Sequence, residues 1–476
     1  MGTEADEPPP EAGELQTGRI ARTARVGGLV TGQGLRWAGM RTANRVRSPE
    51  RAASAQNERT AALVNQLVDQ LGQMRGAAMK VGQVLSMVEF DGLPDEQRDA
   101  MQAKLAELRD DVPPVPFSKL ERMMRDEFGG PLSRVFLEFD ERAFVAASIG
   151  QVHRARTLDG HDVAVKVQYP GIAEAVDTDL RNAMLLLPLV KRLAPSLDAK
   201  ALALELRERI VEELDYELEA QNQRRIERLR RGHPFISVPT VSTKLSTRRV
   251  LVSEYVEGER FEGVRRLDEP ERDRYGEITF RFYFGLLYRD RIALGDPHPG
   301  NQLLRPDGRL GFLDYGLLRD VSVIRANAER DIARAVGAGD AGGLMAALVA
   351  GAYLSPEGAQ NVEADLALKL IRQATRWYAV PGMRRFSGEH GRRDRQPGSV
   401  RDEHQSEQRD QISQFTLPAE TLLIRRMHTI VAAVLVQLRA GADWGAIAAE
   451  YLYGDPPATP LGESEAEYFA ERDRLN

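Results

Sequence analysis

The N-terminal part of the chain has apolar residues at helical spacing. Between positions 51 and 127 they recur three or four residues apart, as over 61–71, and Gly and Pro break the pattern at 92–94 and 113–114. This period is that of an amphipathic helix, and Pro ends a helix. The sequence therefore predicts a helical segment over residues 51–130.

The next part of the chain alternates between apolar and polar residues, which is typical of strands that bury one face. Two long helical stretches interrupt the alternation. We expect residues 131–257 to form a sheet with a helical insertion. The predicted strands are 135–139, a hairpin within 144–156, 162–168 and 250–258, and the predicted helices are 172–193 and 200–230.

Beyond residue 258 the helical period returns, with one strand–turn–strand expected over 302–314. The apolar run from Thr429 to Leu438 predicts a buried helix, because it has about half the ~20 residues that a membrane-spanning helix needs. Residues 387–414 are almost wholly polar and predict a mobile surface loop. We therefore predict an α+β fold with a mostly helical domain over 258–476.

Residues 1–50 differ from the rest of the chain. Residues 1–15 are acidic and contain several Pro, which favours disorder. Residues 16–49 hold seven Arg and no acidic residue, with Trp37 and aliphatic residues between them. This pattern suits an interfacial helix on an anionic membrane surface. An equally good interpretation is a flexible arm whose arginines pair with the acidic body, since its glycines weaken a helix.

The composition of the chain excludes several classes of function. The chain has no Cys, which excludes disulfides, thiolate nucleophiles and Cys-ligated metals. A net charge of −6 argues against a nucleic-acid partner. The N-terminus lacks the pattern of a secretory signal, so we expect a cytoplasmic protein with at most peripheral attachment to a membrane. Only eight of the 65 basic residues are Lys, so the position of each lysine is informative.

Two neighbouring segments carry residues suited to phosphate chemistry. LGDPHPGNQLL contains Asp296 and Asn301, and LGFLDYGLL places Asp314 at the end of an apolar strand. Phosphoryl transfer from ATP needs carboxylate and amide oxygens to hold Mg²⁺ and a carboxylate to orient the nucleophile. The pair of patterns predicts such a site, whereas a lone Asp would more often cap a turn. We expect His298 to pin the first segment rather than to catalyse.

A lysine suited to the same chemistry lies upstream. The small-residue segment FVAASIGQVHRA is followed by VAVKVQ, which contains Lys166. A kinase covers the ATP phosphates with such a hairpin and offers them such a lysine. If Val165 and Val167 pack inward, Lys166 points to the other face of its strand. A kinase lysine also needs a helical glutamate, and the spacing does not choose among the candidates. These are Glu208, Glu212, Glu213, Glu217 and Glu219.

With these motifs in place, the chain resembles the UbiB family of atypical kinase-like proteins, also called AarF or ADCK, over roughly residues 60–320. The family's K-x-G-Q and Ala-rich motifs are not general kinase features, so the resemblance is specific. One departure is Val145, where the family usually has a third alanine. The matching segments are 80–83 (K-x-G-Q), 146–153 (Ala-rich loop), 213–216 (E-x-D), 295–301 and 313–316.

The resemblance implies a bilobal protein-kinase-like fold whose N-terminal K-x-G-Q segment folds over the cleft. It also implies ATP binding, ATPase activity and a role in isoprenoid quinone or other lipid metabolism, with protein phosphorylation hindered by the added segment. The expected cofactors are ATP or ADP and Mg²⁺, and the expected partner is a lipid or prenylated small molecule. The K-x-G-Q gate would comprise Lys80, Gly82, Gln83 and Asp215.

The roles expected for the other site residues follow from the same resemblance. Lys166, Glu213 and Asp296 are the predicted catalytic residues, with Glu213 as the anchor of Lys166. Asn301 and Asp314 are the predicted metal ligands. The predicted ATP-binding residues are Ala146, Ala147, Ser148, Ile149, Gly150 and Lys166, with Glu254 and Val256 in the hinge beside adenine.

Two other functions stay open. After Asp314 the chain turns helical within about eight residues and lacks the A-P-E of protein kinases, and its catalytic segment begins L-G-D. This favours a small-molecule or lipid phosphotransferase similar to aminoglycoside phosphotransferases as one alternative. A nucleotide-gated scaffold that presents lipids without catalysis is the other.

Overall fold

The computed structural model describes residues 115–146, 149–185, 207, 211–386, 411–412, 414–416 and 418–475. The helices are α1 (Phe117–Phe128), α2 (Ile172–Leu185), α3 (Tyr216–Arg230), α4 (Phe261–Val264), α5 (Glu269–Tyr288), α6 (Val323–Ala338), α7 (Ala341–Ala350), α8 (Pro356–Ala359), α9 (Ala364–Ala379), α10 (Ala419–Leu438), α11 (Trp444–Tyr453) and α12 (Pro460–Leu475). The strands are β1 (Phe136–Phe139), β2 (Val145–Ala146), β3 (Gly150–Thr157), β4 (Asp162–Gln168), β5 (Ile236–Ser237), β6 (Val250–Glu254), β7 (Glu259–Arg260), β8 (Ile292–Leu294), β9 (Gln302–Leu304), β10 (Leu310–Phe312), β11 (Leu318–Asp320), β12 (Arg384–Arg385) and β13 (Gly441–Ala442).

The described residues fall into two compact units. The sheet unit comprises the described residues within 115–217 and 242–252, and the helical unit those within 218–241 and 253–475. This mixed α+β architecture confirms the predicted fold class.

The sheet unit is built on strands in the order β1-β3-β4-β6, with β2 paired to β3. The hairpin β3–β4 is antiparallel, from Gly150 opposite Gln168 to Arg156 opposite Asp162. Its turn contains Gly160 at a φ of 86°, a conformation that glycine adopts without strain. The strands predicted over 135–139 and 162–168 and the hairpin predicted within 144–156 are confirmed.

The helical unit packs around α5, whose second half is fully buried. Residues 278–288 are buried around the whole helix and are apolar except for Thr279 and Arg281, which is the pattern of a helix enclosed by the core. Asp268 begins α5 as its N-cap and accepts a hydrogen bond from the backbone N–H of Glu271. A small sheet in the order β5-β10-β9-β7 and the antiparallel pair β8–β11 lie in the same unit, and β9–β10 is the strand–turn–strand predicted over 302–314.

Helix α10 contains the apolar run predicted to be buried. Val431, Val434, Leu435 and Leu438 have no exposed surface, which confirms the prediction. Among the described residues, the segment Thr421–Leu438 has the length and composition of a membrane span, and 56% of it is buried inside the protein. A core helix meets the same criteria.

One predicted helix differs in the structure. The helix expected over 200–230 is interrupted at Leu214 and Asp215, so the prediction of a continuous helix is wrong there. Asp215 instead caps the next helix, since its Oδ1 accepts a hydrogen bond from the backbone N–H of Glu217 at 3.1 Å. The predictions for residues 1–114, which include the arm and the K-x-G-Q segment, and for 387–410 lie outside the described residues.

Candidate functional site

The predicted Ala-rich loop joins β2 to β3 in the sheet unit. Ala146 ends β2 opposite Gln151, and Ile149 is buried just before β3 begins. The carbonyl oxygen of Ile149 accepts a hydrogen bond from the backbone N–H of Tyr169 at 2.9 Å. Residues 147–148, the predicted Ala147 and Ser148, lie outside the described residues. The structure therefore places both flanks of the loop but not its tip.

Lys166 lies on β4 and faces away from the buried Val165 and Val167, as the alternation predicts. Its Nζ lies 4.8 Å from the centre of the Tyr216 ring, close enough for attraction between the charge and the ring. A Cβ on Gly150 would lie 2.3 Å from the Val167 carbonyl oxygen and 2.8 Å from the Tyr216 hydroxyl, so glycine is required there. Tyr216 thus touches two predicted site residues, and the sequence reasoning missed its role. The only signal was its place directly after E-x-D.

A buried polar pair fixes the strand that follows the Ala-rich loop. The Nδ1 of His153 lies 2.8 Å from the carbonyl oxygen of Asp140, and its Nε2 lies 3.0 Å from the amide nitrogen of Gln151. Because a carbonyl oxygen only accepts, Nδ1 carries the proton and Nε2 accepts from Gln151. The backbone N–H of Val115 donates to the Gln151 Oε1 at 2.9 Å, which fixes that amide. Burial lowers the pKa of His153, so its ring is neutral.

The E-x-D segment straddles the break before α3. Glu213 is half-buried and ends a short helical stretch, whereas Asp215 caps α3 and lies 3.8 Å from the Arg248 guanidinium. The two carboxylates therefore occupy different local structures. The predicted gate residues Lys80, Gly82 and Gln83 lie outside the described residues, so their proximity to this segment stays a prediction.

In the helical unit, residues 295–301 form the Asp296 loop between β8 and β9. His298 Nδ1 accepts a hydrogen bond from the backbone N–H of Gly300 at 3.0 Å, which confirms its predicted structural role. The buried Gln302 accepts from the Thr279 hydroxyl at 2.9 Å and donates to the Pro297 carbonyl at 3.4 Å. The loop is thus tied to α5 by a buried amide.

Residues 313–316 form the Asp314 loop, which begins where β10 ends, as predicted. The backbone N–H of Leu313 donates to the Asn301 carbonyl at 3.0 Å, so Asn301 and Asp314 lie at the same end of the β9–β10 hairpin. Asp314 Oδ1 accepts from the backbone N–H of Gly316 at 3.0 Å. The fully buried Tyr315 donates its hydroxyl to the Phe312 carbonyl at 2.7 Å.

Helix α3 holds the Asp314 loop from one side. Asn222 donates to the Tyr315 carbonyl at 3.0 Å. Three residues earlier, Glu219 is 3% exposed, and its carboxylate lies 3.8 Å from where a Cβ on Gly316 would be. Burial separates Glu219 from the half-buried Glu213, a distinction that spacing alone did not make. Asn222 was missed altogether, because an Asn on a polar helix carries no signal of its own.

Helix α10 brings a positive charge to Asp296. The Nη2 of Arg426 lies 3.5 Å from the Oδ1 of Asp296. Both aspartates also lie near the fully buried Tyr283, whose pKa is raised by burial first and then by the charges of Asp296 and Asp314. No sequence motif pointed to Arg426, since it lies in an apolar helix far along the chain.

The predicted hinge residues Glu254 and Val256 lie at and just after the end of β6. The backbone N–H of Glu254 donates to the Thr240 carbonyl at 2.8 Å, and its carboxylate lies 3.6 Å from the Arg305 guanidinium. Val256 is buried beside Gly311. These contacts fix the segment, and its role beside adenine stays a prediction.

Comparison with known proteins gives the family. The ABC1 atypical kinase-like domain matches residues 107–344. AarF domain-containing protein kinase 1 from Xenopus tropicalis is 32% identical over 53% of this chain and 49% of its own length. Atypical kinase COQ8B, mitochondrial, from Danio rerio is 28% identical over 68% of this chain and 52% of its own length. The chain thus spans about half the length of these curated relatives.

A solved structure extends the similarity. The complex of Rv3197 with erythromycin from Mycobacterium tuberculosis matches with a TM-score of 0.60 and 31% identity, over 85% of this chain and 98% of that one. The domain match and the curated relatives together confirm the resemblance drawn from the sequence motifs. The chain belongs to the ABC1 atypical kinase-like family, also called UbiB, AarF or ADCK.

Proposed function

We propose that this protein is an ATP-dependent enzyme of the UbiB type that cleaves the terminal phosphoryl group of ATP. The observation that carries the proposal is the placement of Asn301 and Asp314 at one end of the β9–β10 hairpin, with Asp296 in the loop that precedes β9. Amide and carboxylate oxygens grouped in this way are the protein ligands that kinase-like sites use for Mg²⁺ and phosphate.

The donor set suits magnesium. Within the part of the chain that the structure describes, no three His, Asp or Glu side chains converge as a self-contained metal site. Mg²⁺ does not need one, because it is commonly held by one or two protein oxygens with phosphates and waters as the other ligands. Asn301 and Asp314 would hold it, and when bound it would neutralise charge on the phosphates.

The other residues have distinct proposed roles. Lys166 binds phosphate oxygens through its ammonium group, and Glu213 stays its proposed anchor. Asp296 orients the attacking water or acceptor hydroxyl. Asn222 supports the Asp314 loop from α3 with a hydrogen bond, and the buried Glu219 lies beside Gly316, which favours a fixed ligand position over one that forms only on binding.

Hydrolysis of ATP tests the proposal. Asp314→Asn keeps the size of the side chain but removes the charge that would hold Mg²⁺, so we expect magnesium-dependent hydrolysis to fall at least about a hundredfold. Lys369→Ala serves as the matched control, because Lys369 is an exposed residue of α9 and belongs to no site motif. Asp314→Asn with wild-type turnover would refute the assignment.

The candidate activities differ in the molecule that accepts the phosphoryl group. Helix α6 begins at Val323, soon after the Asp314 loop, which leaves little chain for a platform that docks protein substrates. Water, a lipid or prenylated hydroxyl, and a small-molecule hydroxyl are therefore the proposed acceptors.

The match to the erythromycin complex adds macrolide binding as a second candidate function. Transfer of ³²P from ATP to prenylated phenols or erythromycin, measured beside release of inorganic phosphate, separates these alternatives.

A further inference from the structure

Helix α10 lies beyond the segment matched by the ABC1 domain, yet it packs against the Asp296 loop. Leu423 and Arg426 are three residues apart and so share one face of the helix. The first of them touches the residue before Asp296, and the second touches Asp296 itself. Two independent contacts therefore join this helix to the loop.

The first contact is steric. A Cβ on Gly295 would lie 2.1 Å from the Cδ1 of Leu423, a distance that two non-bonded carbon atoms do not tolerate. The loop backbone is therefore pressed against α10 at this point. Because close-packed contacts transmit small shifts, the position of α10 sets the position of residue 295.

The second contact is electrostatic. The Nη2 of Arg426 lies 3.5 Å from the Oδ1 of Asp296, and the two side chains are 8% and 21% exposed. Arg426 therefore lies on the protein side of the carboxylate, which keeps some access to solvent. A buried guanidinium is costly unless an opposite charge compensates it. Asp296 provides such a charge.

We propose that Arg426 is a positioning residue that holds the Asp296 carboxylate in the orientation needed for phosphoryl transfer. This inference rests on the proposed function. The contact is made at Oδ1, and in this proposal Oδ2 orients the attacking hydroxyl or water. Fixing a reacting group to within a fraction of an ångström is worth a large factor in rate, and misplacement by about 1 Å costs on the order of a hundredfold.

The preceding residue of the helix, the half-buried Arg425, shows that an arginine at this end of α10 need not serve the site. Arg425 donates to the Glu329 carboxylate at 2.8 Å and to the Tyr353 hydroxyl at 2.9 Å, inside the core of the helical unit. Burial would normally lower the pKa of Arg425, but the charge of Glu329 holds it above its usual value. Adjacent arginines thus have different partners, one in the core and one at Asp296.

The test measures turnover and nucleotide binding of the whole 476-residue chain. Arg426→Gln keeps a polar side chain but removes the charge, and we expect kcat for ATP hydrolysis to fall about 10- to 100-fold. The Kd for Mg·ADP should stay within twofold, because a positioning residue for the nucleophile does not touch ADP. Arg426→Lys restores a charge at this place and should lose less activity than Arg426→Gln.

The control is the same conservative change one position earlier. Arg425→Lys disturbs a partly buried ion pair between the same helix and Glu329 of α6, so it should lower the melting temperature while kcat stays within twofold. Unchanged kcat in Arg426→Gln, or an equal loss in kcat and in ADP binding, would overturn the inference. If Arg426→Gln does not fold, wild-type turnover in Arg426→Lys together with a lowered melting temperature would overturn it, and reduced turnover at wild-type ADP affinity would support it.

These outcomes are distinct from failure of the proposed function. Wild-type turnover in Asp314→Asn, or absence of turnover in the unmodified protein, overturns the proposed function and this inference together. Loss of turnover in Asp314→Asn with normal kcat in Arg426→Gln overturns only the role of Arg426.

Discussion

The Asp296 loop and the Asp314 loop carry the two aspartates proposed for catalysis, and they are held by different forces. The Asp314 loop has two contacts within three residues, in which Gly316 donates to Asp314 and Tyr315 donates to Phe312, and α3 adds one long-range hydrogen bond from Asn222. The Asp296 loop also has a local hydrogen bond, from Gly300 to His298. Its aspartate, however, contacts Arg426, which lies on α10, far along the chain.

The difference separates a locally encoded site from one that depends on tertiary structure. Backbone bonds within four residues form wherever the local sequence allows the turn. An ion pair with α10 forms only once the helical unit is complete. The Asp296 loop should therefore be the more sensitive of the two to changes in packing.

The largest expected difference comes from the same substitution in each loop. Gly295→Ala would place a methyl group 2.1 Å from Leu423 Cδ1 and 2.7 Å from Leu317 Cδ2, so these buried side chains or the loop must move, and we expect kcat to fall about a hundredfold. In Gly316→Ala the new methyl group would meet Asp314 at 3.5 Å and Glu219 at 3.8 Å, which is ordinary contact. We expect kcat to fall less than about fivefold there. Steady-state hydrolysis of ATP measures both.

A second substitution tests whether the contact with Leu423 causes the loss of kcat in Gly295→Ala. Leu423→Val removes the methyl group at 2.1 Å but leaves Leu317 Cδ2 at 2.7 Å, so the double variant with Gly295→Ala should recover part of the lost kcat. Melting temperatures of all variants separate misplacement from unfolding. Equal losses in the two alanine variants, or no recovery in the double variant, would contradict the proposed difference between the loops.

The sequence predicted the Asp314 loop because its signal is local. Asp314 follows an apolar strand and precedes Tyr-Gly, and the structure has β10 ending two residues before it. Arg426 carried no such signal, since an arginine within an apolar helix has many uses. Its contact arises from the packing of α10 on the loop, which no motif or spacing encodes.

The sheet unit also has features that the sequence predicted and features that it did not. Alternating valines predicted β4 and the outward face of Lys166, because burial repeats every second residue. The break at Asp215 was not predicted, since an acidic residue fits the surface of a helix as well as its N-cap. The sequence also gave no sign that Glu219 is buried, because its burial depends on how α3 packs in the folded protein.

A moderate effect is expected from the contact between α3 and the Asp314 loop. Asn222→Ala removes the hydrogen bond to the Tyr315 carbonyl, and one such bond contributes about 1 kcal/mol. We expect kcat to fall about 3- to 10-fold, less than in Gly295→Ala. Gln221→Ala, at an exposed position on the same helix, is the control and should keep wild-type turnover. A loss as large as that of Gly295→Ala would mean that both loops depend equally on distant helices.

The smallest effect is expected where α3 meets the strand after the Asp314 loop. The Arg225 guanidinium hydrogen-bonds the Asp320 carboxylate at 2.5 and 3.2 Å and lowers the pKa of that carboxyl group, but the side chains are 39% and 73% exposed. Exposed pairs contribute about 0–1 kcal/mol, so Asp320→Asn should shift the melting temperature by about 2 °C or less and leave kcat within twofold.

The pH dependence has a definite sign. Because the pKa of Asp320 is lowered in the folded protein, the stabilisation is present above the unfolded value of about 4 and is lost as the pH falls through the lowered pKa. Thermal melts of wild type and Asp320→Asn should therefore converge in acid and differ slightly at neutral pH. A tenfold loss of kcat in Asp320→Asn would show that the Asp314 loop also relies on a charge pair, and the contrast between the two loops would then fail.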